Sequence, residues 1–170
     1  MKFSVFCLST MVLGLVLLPG RTVAQQKSLK EQLVGAWELV SCERTTANGL
    51  KQPYCVNPTG ILILDASGRY AHIIAARGRP KLTIVNRVDA PAEQYKAVAQ
   101  GFAANFGTWS VNAADRTITR HYEGALLPNY EGRDVDNSVS VAGDELRLID
   151  PNPPDGFDQG RMVTLYRRVK

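Results

Sequence analysis

The chain has 170 residues, of which 45% are hydrophobic, 8% aromatic and 21% charged, with a formal net charge of +4. This composition excludes a disordered chain, and the sequence shows no collagen-like period, coiled-coil heptad or longer internal repeat. The length fits a single globular domain.

The first 24 residues have the three parts of a secretory signal peptide. Lys2 provides the positive charge, residues 3–18 form an almost unbroken apolar run, and the small residues Thr22 and Ala24 precede the expected cleavage before Gln25. A retained membrane anchor is the alternative. It is disfavoured because the apolar run is shorter than the ~20 residues that a spanning helix needs.

This cleavage divides the chain into a signal peptide (residues 1–24), a polar N-terminal segment (residues 25–32) and one domain (residues 33–170). The mature part keeps 18 basic and 16 acidic residues, and its densest basic cluster is the pair Arg167-Arg168. So weak a positive charge does not favour nucleic-acid binding. We expect an exported, periplasmic or secreted monomer that is not stably inserted in a membrane and binds no nucleic acid.

Two cysteines remain in the mature chain, Cys42 and Cys55, because Cys7 leaves with the signal. An even pair in an oxidising compartment predicts a disulfide, and closing so short a loop stabilises a fold by about 3 kcal/mol. A metal site or a reactive thiol is the alternative. Because neither His72 nor His121 lies near the cysteines in sequence, we expect no metal, and we expect no cofactor.

Eight segments have the alternating or β-branched pattern of strands, and one has the period of a helix. The helix is predicted over Ala92–Phe106, where apolar residues recur every three or four positions and form a stripe that packs on the core or serves as a lid. In the first strand, Trp37, Leu39 and Ser41 share one face and Cys42 lies on the other. The predicted strands are Leu33–Arg44, Ile61–Leu64, Arg69–Ala76, Phe106–Asn112, Thr117–Glu123, Arg133–Val141, Glu145–Ile149 and Met162–Arg168.

The lengths of the connections indicate how these strands are arranged. Antiparallel neighbours place successive connections at alternate ends of a sheet. The second, fourth and sixth connections are tight turns (Asp65–Gly68, Asn112–Arg116 and Ala142–Asp144), whereas the others are long and the third contains the helix. All tight turns therefore fall at one end, which predicts an all-β, eight-stranded antiparallel up-and-down barrel. A two-sheet sandwich is the alternative.

Several short motifs resemble the lipocalin-like domain family of bacteria and fungi, within the lipocalin superfamily. They are Leu33–Ser41 with its Gly35-Ala36-Trp37, Ala104–Trp109, His121–Gly124 and Pro128-Asn129. The resemblance implies a lipocalin-like barrel in which Gly35 and Trp37 lie at the closed end and Arg167 or Arg168 packs over the Trp37 ring. It implies a fold and a pocket more than a reaction. The helix departs from the usual plan, since it precedes the fourth strand instead of following the barrel.

The candidate ligand-binding residues are polar and aromatic side chains of the predicted barrel. His121 and Glu123 share a strand face before a long connection, which places them near the mouth as a polar anchor or an acid–base pair. The alternative is a hydrogen bond between them that steadies the rim. Asn129 and Tyr130 in the following loop gate or orient a ligand, or only form a turn. The remaining candidates are Leu39, Ser41, Tyr70, His72, Phe106 and Trp109.

We expect the barrel to bind a small, largely apolar or amphipathic molecule in its lumen. One alternative is an isomerase- or cyclase-type enzyme that uses His121 and Glu123, a reaction that needs no recognisable catalytic motif, and none is present. Another is a cell-envelope module that docks a protein partner through apolar loop residues. These loop residues are Leu126, Leu127, Tyr130 and Phe157.

Overall fold

A computed structural model describes residues 27–46, 48–53, 57–83, 89–151, 153 and 160–170. The predicted signal peptide, Cys55 and Phe157 lie outside the described residues. Among the helices of the described part, none combines the length and the apolar character that crossing a membrane requires.

Nine antiparallel strands are present in the described part of the chain, and eight of them close into a barrel. They are β1 (Gly35–Thr45), β2 (Lys51–Pro53), β3 (Pro58–Leu64), β4 (Arg69–Ala76), β5 (Phe102–Asn112), β6 (Thr117–Ala125), β7 (Asp134–Ala142), β8 (Glu145–Asp150) and β9 (Arg161–Arg168). Strands β3 to β9 are neighbours in sequence order, and β1 pairs with both β3 and β9. The short β2 pairs only with the last residues of β1 and lies beside the ring. The predicted up-and-down barrel is confirmed, and the sandwich is excluded.

The barrel has a closed end, where the tight turns lie, and a loop end, from which the long connections leave. In the first tight turn Gly68 has a φ of 91°, which glycine adopts without steric cost. The chain also forms α1 (Leu29–Leu33), α2 (Ala92–Ala99) and a 3-10 helix (Pro128–Tyr130). The first of these contacts β5 at the closed end, the second lies in the third connection, and the 3-10 helix lies in the fifth.

Helix α1 takes the residue that the sequence analysis assigned to the start of the first strand. Ser28 and Glu31 form a capping box, in which each side chain bonds the other residue's backbone N–H. The capping box fixes the start of the helix, which runs from Leu29 to Leu33, and β1 begins only at Gly35. Leu29 and Leu33 are buried, so this short helix covers the closed end of the barrel with an apolar face.

Helix α2 is shorter than the predicted Ala92–Phe106. It ends at Ala99, and the chain from Phe102 onward is strand β5, which pairs with β4 from Phe102 to Thr108. The apolar spacing of this segment fits a helix, but the free edge of β4 needs a partner for the barrel to close, and that long-range pairing overrides the local pattern. No residue of α2 is fully buried.

A bulge in β1 changes which residues point inward. Leu39 pairs with Tyr166 and Ser41 with Leu165, so Val40 is an extra residue in the strand. Val40 is 43% exposed and Cys42 is buried, because the alternation shifts by one position beyond the bulge. The predicted faces are therefore wrong after Leu39, since Cys42 and not Ser41 shares the buried face.

Large apolar side chains fill the closed end of the barrel. Those with no more than 1% exposure are Leu33, Trp37, Leu62, Leu64, Ile118 and Leu146, and we call them the closed-end core. Their burial, at about 1.5–3 kcal/mol for each aliphatic side chain, is the main stabilising contribution in this half of the barrel.

Candidate functional site

Polar side chains lie inside the barrel next to the closed-end core. His72 on β4, Arg120 on β6, Asn137 on β7 and Tyr166 on β9 are all at most 8% exposed, and we call these four residues the Arg120 cluster. Buried and exposed positions alternate along each of these strands around the four residues, which turns their side chains inward. The barrel thus collects polar groups from four strands in one place.

Hydrogen bonds join the cluster into a chain that runs across the barrel. Tyr166 Oη lies 2.8 Å from His72 Nε2, and these residues stand on strands that are not neighbours in the sheet. His72 Nδ1 lies 3.3 Å from Arg120 Nη1. On its other side Arg120 Nη2 donates to Asn137 Oδ1 at 2.7 Å. The guanidinium is therefore held in a fixed orientation by two neutral acceptors.

The protonation of His72 follows from these contacts. Burial, with the positive charge of Arg120 as a second cause, lowers the pKa of His72 to about 3, so the imidazole is neutral at physiological pH. A guanidinium can only donate hydrogen bonds, so Nδ1 of His72 accepts from Arg120. The proton of the neutral ring is then on Nε2, which donates to Tyr166 Oη.

Two tyrosine rings flank the guanidinium group. Arg120 Cζ lies 5.8 Å from the ring centre of Tyr70 and 5.7 Å from that of Tyr122, within the range of cation–π attraction. Gly107 on β5 is paired with both tyrosines and stands between them, and the rings approach to 6.1 Å. A Cβ at position 107 would collide with the backbone carbonyl of His121, so this wall of the site requires glycine.

Arg120 carries a buried positive charge with no ion pair to any residue that the structure describes. Burial works against its charged form, but attraction to the neighbouring tyrosines and then to Asp150 outweighs it, and the pKa of Arg120 is raised. Asp150 is buried at the loop-end limit of β8 and acts on Arg120 without forming an ion pair with it. The interior therefore holds a fixed cation whose neighbours are mostly neutral.

Three buried polar atoms around this cation form no hydrogen bond within the described part of the chain. They are Arg120 Nε, Tyr70 Oη and Asn105 Oδ1. Asn105 is paired with His72 on the neighbouring strand, so its side chain faces the same interior. Burial raises the pKa of the Tyr70 phenol well above its usual range, which keeps this hydroxyl a hydrogen-bond donor. A buried polar atom without a partner costs about 1–3 kcal/mol, and such atoms mark places where a ligand or ordered water binds.

The structure turns His121 and Glu123 away from this interior. The two share a face, as predicted, but it is the outer face, because the alternation of β6 buries Arg120 and Tyr122. His121 Nδ1 bonds Asp134 Oδ1 at 2.7 Å and Glu123 forms a two-pronged ion pair with Arg69. The predicted hydrogen bond between His121 and Glu123 is therefore replaced by bonds to other residues. Neither side chain lies where it would orient a molecule inside the barrel.

The other candidates divide between the interior and the surface. Leu39, Tyr70, His72 and Trp109 are buried inside the barrel. Ser41 and Tyr130 are half-buried, and Asn129 is exposed. Phe106 is 51% exposed on the outer face, where its ring covers Gly124. Leu126 and Leu127, considered for a protein contact, are exposed.

The closed end shows the arrangement that the lipocalin resemblance implies. Arg168 Cζ lies 4.0 Å from the ring centre of Trp37, and Arg168 Nη1 donates to Val34 O at 3.0 Å. Trp37 Nε1 donates to Leu33 O at 2.8 Å. Gly35 has a φ of 137°, and a Cβ there would press on the Arg168 guanidinium. The neighbouring Arg167 is exposed on the outside of the barrel.

Four residues at the centre of the site were not among the sequence candidates, namely Arg120, Tyr122, Asn137 and Tyr166. A signal for Arg120 was present, because Ile118 and Tyr122 alternate with the more polar Thr117, Thr119 and His121. Two large apolar-bodied residues on one face of a strand indicate the buried face, and Arg120 lies between them. The choice of His121 and Glu123 followed residue chemistry instead of this burial pattern.

Among the residues that the structure describes, no group of three or more His, Cys, Asp or Glu side chains is placed to hold a metal ion. The predicted disulfide involves Cys55, which lies outside the described residues, and its partner Cys42 is buried on β1. It stays a prediction.

Comparison with known proteins identifies the family of the chain. A family model described as lipocalin-like domain matches residues 34–169. A solved structure of a lipocalin-like protein from Bacteroides uniformis is similar, with 14% sequence identity, a TM-score of 0.44, and coverage of 81% of this chain and 99% of that one. No curated protein matches the chain.

Proposed function

Because the chain belongs to the lipocalin-like domain family, we propose that its barrel binds one small amphipathic molecule, whose polar part is held by the Arg120 cluster. The observation that carries this proposal is the set of three buried polar atoms, Arg120 Nε, Tyr70 Oη and Asn105 Oδ1, that have no partner in the described chain. A purely structural interior is expected to satisfy such groups within itself.

Apolar side chains around the cluster support the amphipathic character of the molecule. Leu39, Ile74, Val139 and Leu148 are between 4% and 8% exposed and belong to the same buried group as Tyr70 and Tyr166. Contact with such side chains favours burial of an apolar body at about 25 cal/mol for each Å² removed from water. The ligand expected from the sequence was largely apolar, and the cluster adds a polar group to that expectation.

The direct test is native mass spectrometry of the mature protein, followed by denaturing extraction. We expect an additional small molecule at about one per chain, which is released when the protein unfolds. A protein that carries no such molecule, and that takes up none from a lipid and metabolite extract after unfolding and refolding, would contradict the proposal.

A matched pair of variants separates the interior from the outer surface. Ile74→Trp enlarges a side chain that is 8% exposed and points inward, whereas Ile73→Trp enlarges its neighbour, which is 39% exposed on the outside. We expect Ile74→Trp to lose the bound molecule and Ile73→Trp to keep it. Far-ultraviolet circular dichroism of both variants checks that the barrel is formed.

We also propose that the protein is exported and that Cys42 and Cys55 are bonded. The signal-like residues 1–24 and the even number of cysteines that follow them support this proposal. The intact mass of the secreted or periplasmic protein is expected to correspond to a chain that begins at Gln25. Alkylation under denaturing conditions without a reductant is expected to label neither cysteine. A full-length mass contradicts cleavage, and two labelled thiols contradict the bond.

A further inference from the structure

We propose that the polar group of the ligand is a single carboxylate, bound by the guanidinium of Arg120 together with the hydroxyl of Tyr70. This inference rests on the proposed function and specifies the chemical class of the ligand. Its central residue, Arg120, was not among the sequence candidates, whereas Tyr70 was.

Arg120 carries a buried positive charge. The residue is 5% exposed and no carboxylate forms an ion pair with it in the described chain. Removing a cation from water is costly, and an interior rarely keeps one without an anion. The nearby acid, Asp150, attracts Arg120 but does not come within ion-pair distance of it. The place next to the guanidinium is therefore favourable for an anion supplied by a ligand.

Two of the unpartnered groups at the site are hydrogen-bond donors. Nη1 and Nη2 of Arg120 already engage His72 and Asn137, which leaves the Nε–H without an acceptor. The unpartnered hydroxyl of Tyr70 is also a donor. The amide of Asn105 presents a further donor when its oxygen and nitrogen are exchanged, since the two are not distinguished by shape. A carboxylate only accepts hydrogen bonds, so it complements a site of donors.

The charges of the interior favour a ligand with a single negative charge. Arg120 is the only buried cationic side chain among the residues that the structure describes. His72 adds no second positive charge, because burial and Arg120 keep it neutral. A phosphate monoester carries about two negative charges at pH 7 and would bring more negative charge than this interior balances. A monocarboxylate matches the single guanidinium.

The test uses three ten-carbon probes that share an apolar tail: decanoate, decan-1-ol and decyltrimethylammonium. Calorimetric titration is carried out on the mature protein after its own ligand has been removed by unfolding and refolding. We expect decanoate to bind about tenfold or more tightly than decan-1-ol, and the cationic probe to bind least well.

The key variant is Arg120→Met, which keeps the length of the side chain without its charge. We expect the affinity for decanoate to fall by about tenfold to a hundredfold, and the affinity for decan-1-ol to change by less than about threefold. Arg147→Met is the matched control, because Arg147 is an exposed arginine on the outer face of β8, and it is expected to keep the wild-type preference.

Two milder variants keep the test decisive if Arg120→Met does not fold. Tyr70→Phe removes one hydroxyl. It is expected to lower the affinity for decanoate by about threefold to tenfold without changing the affinity for decan-1-ol. Arg120→Lys keeps the charge but removes the Nε donor. Its affinity for decanoate is expected to be lower than that of the wild type. Decanoate binding that none of these variants changes would overturn the inference.

The outcomes also separate this inference from the proposed function. Equal affinities of the wild type for decanoate and decan-1-ol would support a barrel that binds small molecules but overturn the carboxylate inference. Water alone would then satisfy the buried donors. If neither probe binds and no molecule is co-purified, the proposed function fails as well. A co-purified neutral molecule would support the function and overturn the carboxylate.

Discussion

The closed-end core and the Arg120 cluster lie in the same barrel but are built differently. At the closed end, the indole N–H of Trp37 and the guanidinium of Arg168 bond backbone carbonyls of the chain around α1. Around Arg120, by contrast, buried polar atoms remain without a partner in the described chain. Satisfied polar groups stabilise a fold, whereas unsatisfied ones lower its stability. The first region therefore stabilises the fold, and the second is the region where we propose that the ligand binds.

The largest effect is expected from emptying the closed-end core. Trp37 has no exposure, so Trp37→Ala leaves a cavity and is expected to reduce the free energy of unfolding by about 3–5 kcal/mol. Phe106→Ala is the control, because that ring is 51% exposed on the outer face and its removal is expected to cost much less. Urea denaturation followed by fluorescence measures both, and a similar loss in the two variants would contradict the assignment.

The Arg120 cluster is expected to make the stability of the fold depend on pH. His72 has a pKa of about 3 in the folded protein against an ordinary value of 6.5. Between these values the unfolded chain binds a proton that the folded chain does not, so stability falls as the pH is lowered, by up to about 1.4 kcal/mol for each pH unit. His72→Gln is expected to lose this part of the slope between about pH 6 and pH 4.

Tyr166→Phe is the control for the pH experiment. It removes the hydroxyl that lies 2.8 Å from His72 Nε2 but keeps the imidazole buried. We expect a lower stability at every pH with the slope of the wild type. A wild-type slope in His72→Gln would mean that the histidine does not titrate on unfolding as described.

A smaller effect is expected from the arginine that packs on Trp37. Arg168 lies over the indole ring and bonds the backbone carbonyls of Val34 and Gln32. Arg168→Met is expected to cost about 1–2 kcal/mol of unfolding free energy, and the adjacent, outward-facing Arg167→Met to change it by less than about 0.5 kcal/mol. Equal costs would show that the two arginines are interchangeable at the closed end.

The smallest effect is expected on the outer face of β6. Glu123 pairs with Arg69 at 2.6 Å, but both side chains are well exposed to solvent, and exposed ion pairs contribute little. Glu123→Gln is therefore expected to leave both the midpoint of thermal unfolding and the binding of decanoate close to those of the wild type. A loss of decanoate binding in this variant would mean that Glu123 contributes to the site, and it would contradict the difference drawn between the inner and outer faces of β6.

Local signals in the sequence determined most of the fold. Eight strands, the tight turns with Gly68 and the segregation of long loops at one end were readable because side-chain alternation and turn residues act over a few positions. The short connections also fixed which strands are neighbours. The motif Gly35-Ala36-Trp37 and a late arginine indicated the closed end through resemblance. In the site, Tyr70 and His72 were identified, since each stands on a strand with a clear pattern.

Only the tertiary structure decided the elements that depend on partners far along the chain. Phe102 joins a strand and not α2 because β4 needs a neighbour, and Cys42 is buried because β9 imposes a bulge at Val40. The site was decided in the same way. His72 and Arg120 lie 48 positions apart in the sequence and their side chains meet inside the barrel. Closure of the sheet selects which face of each strand is enclosed, and this selection, more than residue type, made Arg120 and not His121 the centre of the interior.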